Sequence, residues 1–158
     1  LEHWQGVGRR FEIKGERAGV LVVDDYGHHP TEIAATIRGA VTSYGRRLFV
    51  LFQPHRYSRT QSVANEFGHC FDGAHRVFVT DIYPAGEAPR PGVTGKLLVD
   101  STLDRHPRRR LAWMPRLDDV VAYLSTELRS GDLLMTVGAG DVTTVGPHVL
   151  ARLEERPT

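Results

Sequence analysis

Five short apolar runs alternate with amphipathic segments along most of this chain, and that alternation limits the folds it can adopt. The runs are residues 20–23, 48–52, 77–80, 111–114 and 133–137. Between them, apolar residues recur at the spacing of helices that bury one face. Strands alternating with helices favour a mostly parallel sheet with helices on both faces. We therefore predict an α/β, Rossmann-like fold.

The first part of the chain departs from the alternation. The stretch VGRRFEIKGERAGVLVVDD is typical of two strands joined by a tight polar turn, which we place at residues 15–19. An N-terminal β-hairpin is therefore expected to precede the parallel part of the sheet. Further along, Pro30 fits the first turn of a helix that ends at Gly45. A second amphipathic helix is predicted from Val63, Phe67, Cys70 and Phe71.

Composition excludes some classes of partner. The 158 residues suit one domain, and the net charge of +1 gives no general reason to bind nucleic acid. No apolar stretch approaches the roughly 20 residues of a membrane span. The basic run RHPRRR lacks interleaved aromatic residues, so we interpret it as a solvated loop. We predict neither a nucleic-acid nor a membrane partner.

Polar residues cluster where the predicted parallel strands end. Ligands of such folds bind beyond the carboxyl ends of the strands. Here those ends are the loops at residues 24–29, 53–60, 81–93 and 138–141, which are rich in His, Arg, Tyr and acidic residues. We predict that the four loops share one edge of the sheet and form the binding site.

A metal site at this edge is one interpretation of the residue types. His28, His29 and His55 with a carboxylate could build a zinc site. Adjacent His side chains point in different directions, however, and the arginines of the second loop disfavour a divalent cation. We therefore expect no metal ligands within this chain.

An anion clamp is the alternative. Arg56 and Arg59 are three residues apart where a loop enters a helix, so both guanidinium groups can converge near its N-terminus. Forked donors with a helix dipole suit a carboxylate or a phosphate. An interpretation without a binding function also stays open, in which both arginines are solvated or pair with Asp25 or Glu66.

The segment GAGD at residues 138–141 resembles part of a phosphate cradle, but the spacing of a dinucleotide fingerprint fails because its third glycine position is Thr143. A tight strand-to-helix connection is the favoured interpretation. No phosphate-binding G-x-x-x-x-G-K-[ST] motif is present either.

Several motifs together resemble the C-terminal domain of the Mur ligases, and they cover nearly the whole chain. In order they are GVGRRFEIKGE, VVDDYGHHPTEI, FQPHRYSRT, TDIYPAGEAPRPGV and VGAGDV. The similarity is greatest to the branch that joins L-alanine to UDP-N-acetylmuramic acid with ATP, through an acyl phosphate, in the bacterial cytoplasm. It implies that residues 1–158 form the domain that closes over ATP and the amino acid.

The resemblance also implies what is missing. The UDP-sugar domain and the P-loop ATPase domain, which would carry the Mg²⁺ ligands, are not found in this sequence. The opening L…W.GVGRRFE resembles the family's linker from the central domain, and the first residue is Leu rather than Met. We therefore expect a piece of a longer ligase that is inactive alone.

Individual roles follow from the resemblance as well, and they include no catalytic acid or base. Arg10 is expected near the ATP phosphates, while Asp25 and Tyr26 are expected near the ribose and base. On the alanine side, the implied residues are His28, Arg56 and Arg59.

Two alternatives remain. The ligase that recycles a preformed tripeptide onto the same sugar shares a GVKRR-like start and a DD.AHHP motif, but it lacks FQPHRYSRT. A stand-alone binding module would recognise a nucleotide or an anionic sugar at the same edge. Such a module would bind tightly by itself, whereas a lid carries only part of each site.

Overall fold

The computed structural model describes residues 10–157 as one six-stranded sheet with helices on both faces. The strand order is β1-β2-β6-β3-β4-β5, in which β1 runs antiparallel to β2 and the other neighbours are parallel. The predicted fold class is confirmed. The strands are Glu12–Arg17, Val20–Asp25, Arg47–Phe52, Arg76–Val79, Leu111–Trp113 and Asp132–Val137 (β1 to β6). The helices are Pro30–Tyr44, Tyr57–Val63, Gly95–Arg105, Leu117–Glu127 and Val145–Glu154 (α1 to α5).

The hairpin turn is shorter than predicted. Strand β1 runs through Gly15 to Arg17, and the turn consists of Ala18 and Gly19, with φ of 52° and 75°. Gly15 instead accompanies a register shift after Ile13, as in a β-bulge. The predicted turn at residues 15–19 was therefore wrong at its start. Glycine is common both in turns and in β-bulges, so Gly15 by itself did not distinguish the two. The start of the predicted first strand and the linker-like opening lie outside the described residues.

The second helix is also shorter than predicted. It ends at Val63, continues as the 3-10 turn Ala64–Glu66 and then gives way to turns. Phe67, Cys70 and Phe71 are nevertheless buried, with at most 4% of each residue exposed. The apolar spacing thus identified the core residues but not their backbone, because successive turns can also direct side chains three or four apart to one side.

Two helical layers enclose the sheet. Ile33 and Ile37 of α1 pack on one face, together with residues of α3, while Leu124 and Val149 of α4 and α5 pack on the other. Strands β2 and β6 are buried throughout, which explains their continuous apolar runs. Within residues 10–157, every helix is too short or too polar to cross a membrane.

Helix α1 begins directly after the loop that follows β2, and local signals position its start. The N–H of Thr31 donates to Nδ1 of His29 at 3.3 Å, and Oε1 of Glu32 accepts from the N–H of His29 at 3.2 Å. The His29 side chain also accepts from the backbone N–H of Glu32, which completes a capping box, and Pro30 lies in the first turn. Gly45 ends the helix in the left-handed conformation at φ 59°. Both predicted ends of α1 are confirmed.

Candidate functional site

The loops after β2, β3, β4 and β6 meet at the carboxyl edge of the sheet, and a row of rings connects them. The ring centroids of Tyr26 and His28 lie 5.5 Å apart, those of His28 and His55 5.8 Å, and those of His55 and Tyr83 5.7 Å. His55 and Tyr83 also form a parallel backbone bridge. Tyr83 packs on Gly140, where an added Cβ would lie 2.4 Å from Cγ of the ring. This ring row makes one surface from four separate loops.

The two glycines of the GAGD segment are explained by this close packing. A Cβ at Gly138 would lie 2.9 Å from the carbonyl oxygen of Gln53, and one at Gly140 would lie 2.6 Å from Oε1 of Gln53. The Gln53 side chain donates to Oδ1 of Asp141 at 2.6 Å and accepts from the N–H of Val142 at 3.1 Å. The geometry supports a tight connection rather than a phosphate cradle.

Arg56 and Arg59 lie near the ring row, since the charges of both act on His55. Arg56 is exposed and Arg59 half-buried. Within residues 10–157, neither guanidinium group makes an ion pair, and neither Asp25 nor Glu66 takes the role of internal partner. Two guanidinium groups near one ring that form no ion pair within the described residues are suited to an anion from outside the domain.

The pKa of His55 reflects the positive charge of this surface. Burial lowers the pKa of His55, and the positive charges of His28, Arg56 and Arg59 lower it further, while only Glu87 acts in the opposite direction. The imidazole of His55 is therefore neutral near pH 7. From the sequence, His55 was a zinc candidate and not a predicted binding residue, although its position directly before Arg56 was a signal for a role in binding.

Glu87, from the loop after β4, holds the start of helix α2. Its carboxylate oxygens accept from the N–H of Ser58 at 3.1 Å and from the hydroxyl of Ser58 at 2.5 Å. These hydrogen bonds lower the pKa of Glu87. The carboxylate of Glu87 thus already occupies the first turn of α2. The predicted anion clamp therefore depends on the arginine side chains and not on the N-terminus of the helix, which was also expected to contribute.

Asp25 and Arg10 occupy the other end of the site. Asp25 is 2% exposed, and its two oxygens accept from the N–H of Phe11 at 2.8 Å and of Gly27 at 2.9 Å. Nη2 of Arg10 lies 3.1 Å from Oε2 of Glu32 at the start of α1. Asp25 therefore ties the chain before β1 to the loop after β2, while Arg10 remains half exposed above that loop.

The three histidines considered for zinc do not gather. His28 and His55 are ring neighbours, but His29 is used in the cap of α1. In the part of the chain that the structure describes, no three His, Cys, Asp or Glu side chains are placed to hold a metal ion.

Comparison with known proteins establishes the family. The model of the family "Mur ligase, glutamate ligase domain" matches residues 9–140. The chain belongs to the Mur ligase family. This Mur ligase domain is 49% identical over 155 residues to a UDP-N-acetylmuramate–L-alanine ligase from Syntrophus aciditrophicus, covering 98% of this chain and 32% of that protein. With the enzyme of the same name from Oleidesulfovibrio alaskensis, identity is 51% over 151 residues, covering 95% and 33%. The chain thus spans about a third of the length of these relatives.

Solved Mur ligases share the fold of this domain. The TM-score is 0.75 with the UDP-N-acetylmuramate–alanine ligase of Thermotoga maritima, at 26% identity over 96% of this chain and 31% of that one. It is 0.78 with the murein peptide ligase of Psychrobacter arcticus, at 20% identity and the same coverages. A domain from a Haemophilus ducreyi protein matches with a TM-score of 0.68 at 23% identity, covering 91% of this chain and 99% of that one.

Proposed function

We propose that this Mur ligase domain is the C-terminal lid of an ATP-dependent ligase that joins L-alanine to UDP-N-acetylmuramic acid in the bacterial cytoplasm. The observation that carries the proposal is the pair Arg56 and Arg59 near the ring row, neither of which forms an ion pair within residues 10–157. Relatives 46–51% identical to the chain carry the name of that ligase. The UDP-sugar and P-loop ATPase domains belong to the remainder of the parent protein.

On the alanine side, Arg56 and Arg59 bind the carboxylate of the amino acid. Two forked donors orient a carboxylate as well as neutralise it, so the amine is directed at the activated carboxyl carbon of the sugar. His28 and the neutral His55 are ring neighbours close to these arginines. A neutral ring at His55 can hydrogen-bond the amino acid without adding a charge that would repel its ammonium group.

On the nucleotide side, Tyr26 stands at the end of the ring row and offers its ring to the ribose or base of ATP. Arg10 is half exposed, so closure can transfer its guanidinium group from Glu32 to a developing phosphate charge. We assign Asp25 to holding the backbone between these two residues. Mg²⁺, bound through the remaining domains, neutralises the ATP phosphates when present.

The test is phosphate release by the full-length parent ligase with ATP and UDP-N-acetylmuramic acid, comparing L-alanine with the tripeptide. Arg56→Ala keeps the Cβ, so the backbone at Arg56 is unchanged while a charge-assisted contact of about 1.5–3 kcal/mol is lost. We expect the KM for L-alanine to rise at least about 10-fold. Arg108→Ala, an exposed arginine in the loop before β5, is the matched control and leaves the KM unchanged.

The outcomes separate the competing functions. Release with the tripeptide alone assigns the domain to the recycling ligase. An unchanged KM in Arg56→Ala contradicts the clamp. If the full-length chain releases no phosphate with either substrate, the ligase assignment fails and a binding module remains.

A further inference from the structure

An open groove lies along the opposite edge of the sheet, where the parallel strands β3 to β6 begin. Its volume is about 590 Å³. We call it the amino-edge groove. Half of its ten lining residues are arginines, namely Arg47, Arg76, Arg109, Arg110 and Arg129. Because the amino ends of parallel strands share one edge, residues far apart in sequence are concentrated here.

Two of these arginines have acidic partners. Arg47 donates from Nε and Nη2 to the two oxygens of Asp132 at 2.9 and 2.8 Å. Arg109 pairs with Asp72. Their positive charges are therefore largely neutralised within the domain.

The other three carry net charge into the groove. Arg76 hydrogen-bonds the neutral hydroxyl of Tyr123 at 2.5 Å. Nη1 of Arg110 lies 3.4 Å from Nε2 of His75, and the Arg129 side chain forms no ion pair within residues 10–157. Glu127 is the one acidic residue in the lining, so the groove keeps an excess of positive charge.

The pKa of His75, which also lines the groove, reflects this excess of positive charge. Burial lowers the pKa of His75, and the charges of Arg47, Arg110 and Arg76 lower it further, with Asp132 acting in the opposite direction. The ring is therefore neutral near pH 7 and can accept the contact from Arg110. It does not add a sixth positive charge.

Buried aromatic rings help to orient the groove arginines. The guanidinium carbon of Arg47 lies 4.9 Å from the ring centroid of Phe49, and that of Arg76 lies 5.0 Å from the ring of Phe78. Arginine forks oriented in advance lose less side-chain entropy when an anion binds. Both rings are 1% exposed, so they cannot stack on nucleic-acid bases.

The size of the groove selects among anions. Nucleic-acid interfaces of even single modules bury roughly 600–1,000 Å² of protein surface. Ten lining residues around about 590 Å³ suit a small molecule better. Among residues 10–157, the three arginines without an ion pair outnumber Glu127 by two charges, and a linked diphosphate can balance that excess while its oxygens reach all three forks.

We propose that the amino-edge groove binds a small anion with at least two linked phosphates, such as pyrophosphate or the diphosphate of a nucleotide. Arg76, Arg110 and Arg129 supply its charge-assisted hydrogen bonds. The strands between the two edges are up to six residues long, a separation of about 20 Å. This second site is therefore distinct from the carboxyl-edge site, and it does not depend on the function proposed there.

The experiment is calorimetric titration of the present chain with pyrophosphate and, in parallel, ADP at low salt. The double variant Arg110→Ala with Arg129→Ala removes two exposed groove arginines. We expect its Kd for pyrophosphate to rise at least about 10-fold, as for loss of charge-assisted hydrogen bonds. The matched control is Arg38→Ala with Arg152→Ala, which removes the same charge from exposed positions of α1 and α5 and leaves the Kd for pyrophosphate within about 2-fold. Arg56→Ala with Arg59→Ala is made in addition, to detect binding at the opposite edge.

A second variant guards against a folding defect. Replacing Arg110 and Arg129 with Lys keeps the charge but removes the planar fork, so weakening between the two extremes is expected. If pyrophosphate and ADP bind with equal affinity and both bind more weakly to the Ala variant, the groove recognises the diphosphate alone. If ADP binds more tightly and is equally sensitive, the groove recognises a nucleotide through its diphosphate.

Three results overturn the proposal. One is the absence of saturable pyrophosphate binding at millimolar concentration. Another is loss of pyrophosphate binding in the Arg56/Arg59 variant but not in the groove variant, which would place the anion at the carboxyl edge. The third is a short DNA duplex that displaces pyrophosphate and binds more tightly, which would assign the groove to nucleic acid.

Discussion

At the scale of residues, Arg56 adopts a backbone conformation that side-chain-bearing residues seldom adopt, with φ at 69°. Its N–H donates to the carbonyl of Tyr83 at 2.8 Å, and its own carbonyl accepts from the N–H and the hydroxyl of Thr60 at 3.1 and 2.8 Å. Such strain costs about 1–3 kcal/mol and persists where the surroundings determine it. The direction of the Arg56 side chain is thus set by the packing of two loops.

Asp25→Asn tests whether this carboxylate serves the fold. Asn has one acceptor oxygen, so the N–H of either Phe11 or Gly27 loses its partner. We expect the free energy of unfolding to fall by about 1–3 kcal/mol, measured by urea denaturation of the domain. Asp104→Asn, exposed in α3, is the control, with an expected change within about 0.5 kcal/mol. Equal effects of the two substitutions would exclude a structural role for Asp25.

Gly140→Ala tests the ring row. The new Cβ would meet Cγ of Tyr83 at 2.4 Å, so the ring must move away from His55. We expect a loss of about 1–3 kcal/mol in stability, together with a raised KM for L-alanine in the parent enzyme. Gly39→Ala is the matched control, because nothing lies within 4 Å of its Cβ in α1, and there we expect a gain of about 0.5–1 kcal/mol. A destabilised Gly39→Ala or an unaffected Gly140→Ala would contradict this account.

At the scale of elements, Asp132 fastens the starts of the neighbouring strands β3 and β6. It accepts from Arg47 on β3 and, at 2.8 Å, from the N–H of Arg129. Burial raises the pKa of Asp132, but the hydrogen bonds from Arg47 and Arg129 outweigh it and leave the pKa below its ordinary value of 3.8. The pair therefore stabilises the sheet through the ionised form of this carboxyl group.

The stability of the domain should follow that ionisation. Because the pKa of Asp132 is lower in the folded than in the unfolded chain, its contribution is fully present above the unfolded value and is lost as the pH falls through the folded value. We expect the unfolding free energy of the wild type to fall more steeply between about pH 5 and about pH 2 than that of Asp132→Asn. Urea denaturation at stepped pH measures both curves, with Asp104→Asn as control. Parallel curves for wild type and Asp132→Asn would show that the pair is not responsible.

At the scale of the whole molecule, the domain has a complete core but only parts of the proposed ligand sites. Cores on both faces of one sheet predict that the chain unfolds in a single cooperative transition. Because the lid proposal places the rest of the alanine and ATP sites on other domains, it predicts no change in Tm with about 10 mM L-alanine. The full-length parent with ATP and UDP-sugar is the positive control. Micromolar binding of L-alanine or ATP by the isolated domain would contradict the lid proposal.

Much of this architecture was predictable from the sequence. Continuous apolar runs marked the buried strands, and Pro30 and Gly45 marked the ends of α1, because these signals depend on a few neighbouring residues. The motifs around His28 and Arg56 also predicted a candidate site at the carboxyl edge, because each follows directly after a recognisable strand. Periodicity did not predict that β6 lies between β2 and β3, since helical crossovers of similar length allow several strand orders.

The sequence by itself determined the fold class, the family and the arginine pair, all of which depend on local pattern or on motifs in order. Tertiary structure alone decided which distant residues meet. Glu87 reaches Ser58 across 29 positions, and Tyr83 stacks on His55, because two parallel strands end side by side. The arginines of the amino-edge groove come together for the corresponding reason at the other end of those strands. The order of the strands in the sheet determines such contacts, and they cannot be predicted from any short stretch of sequence.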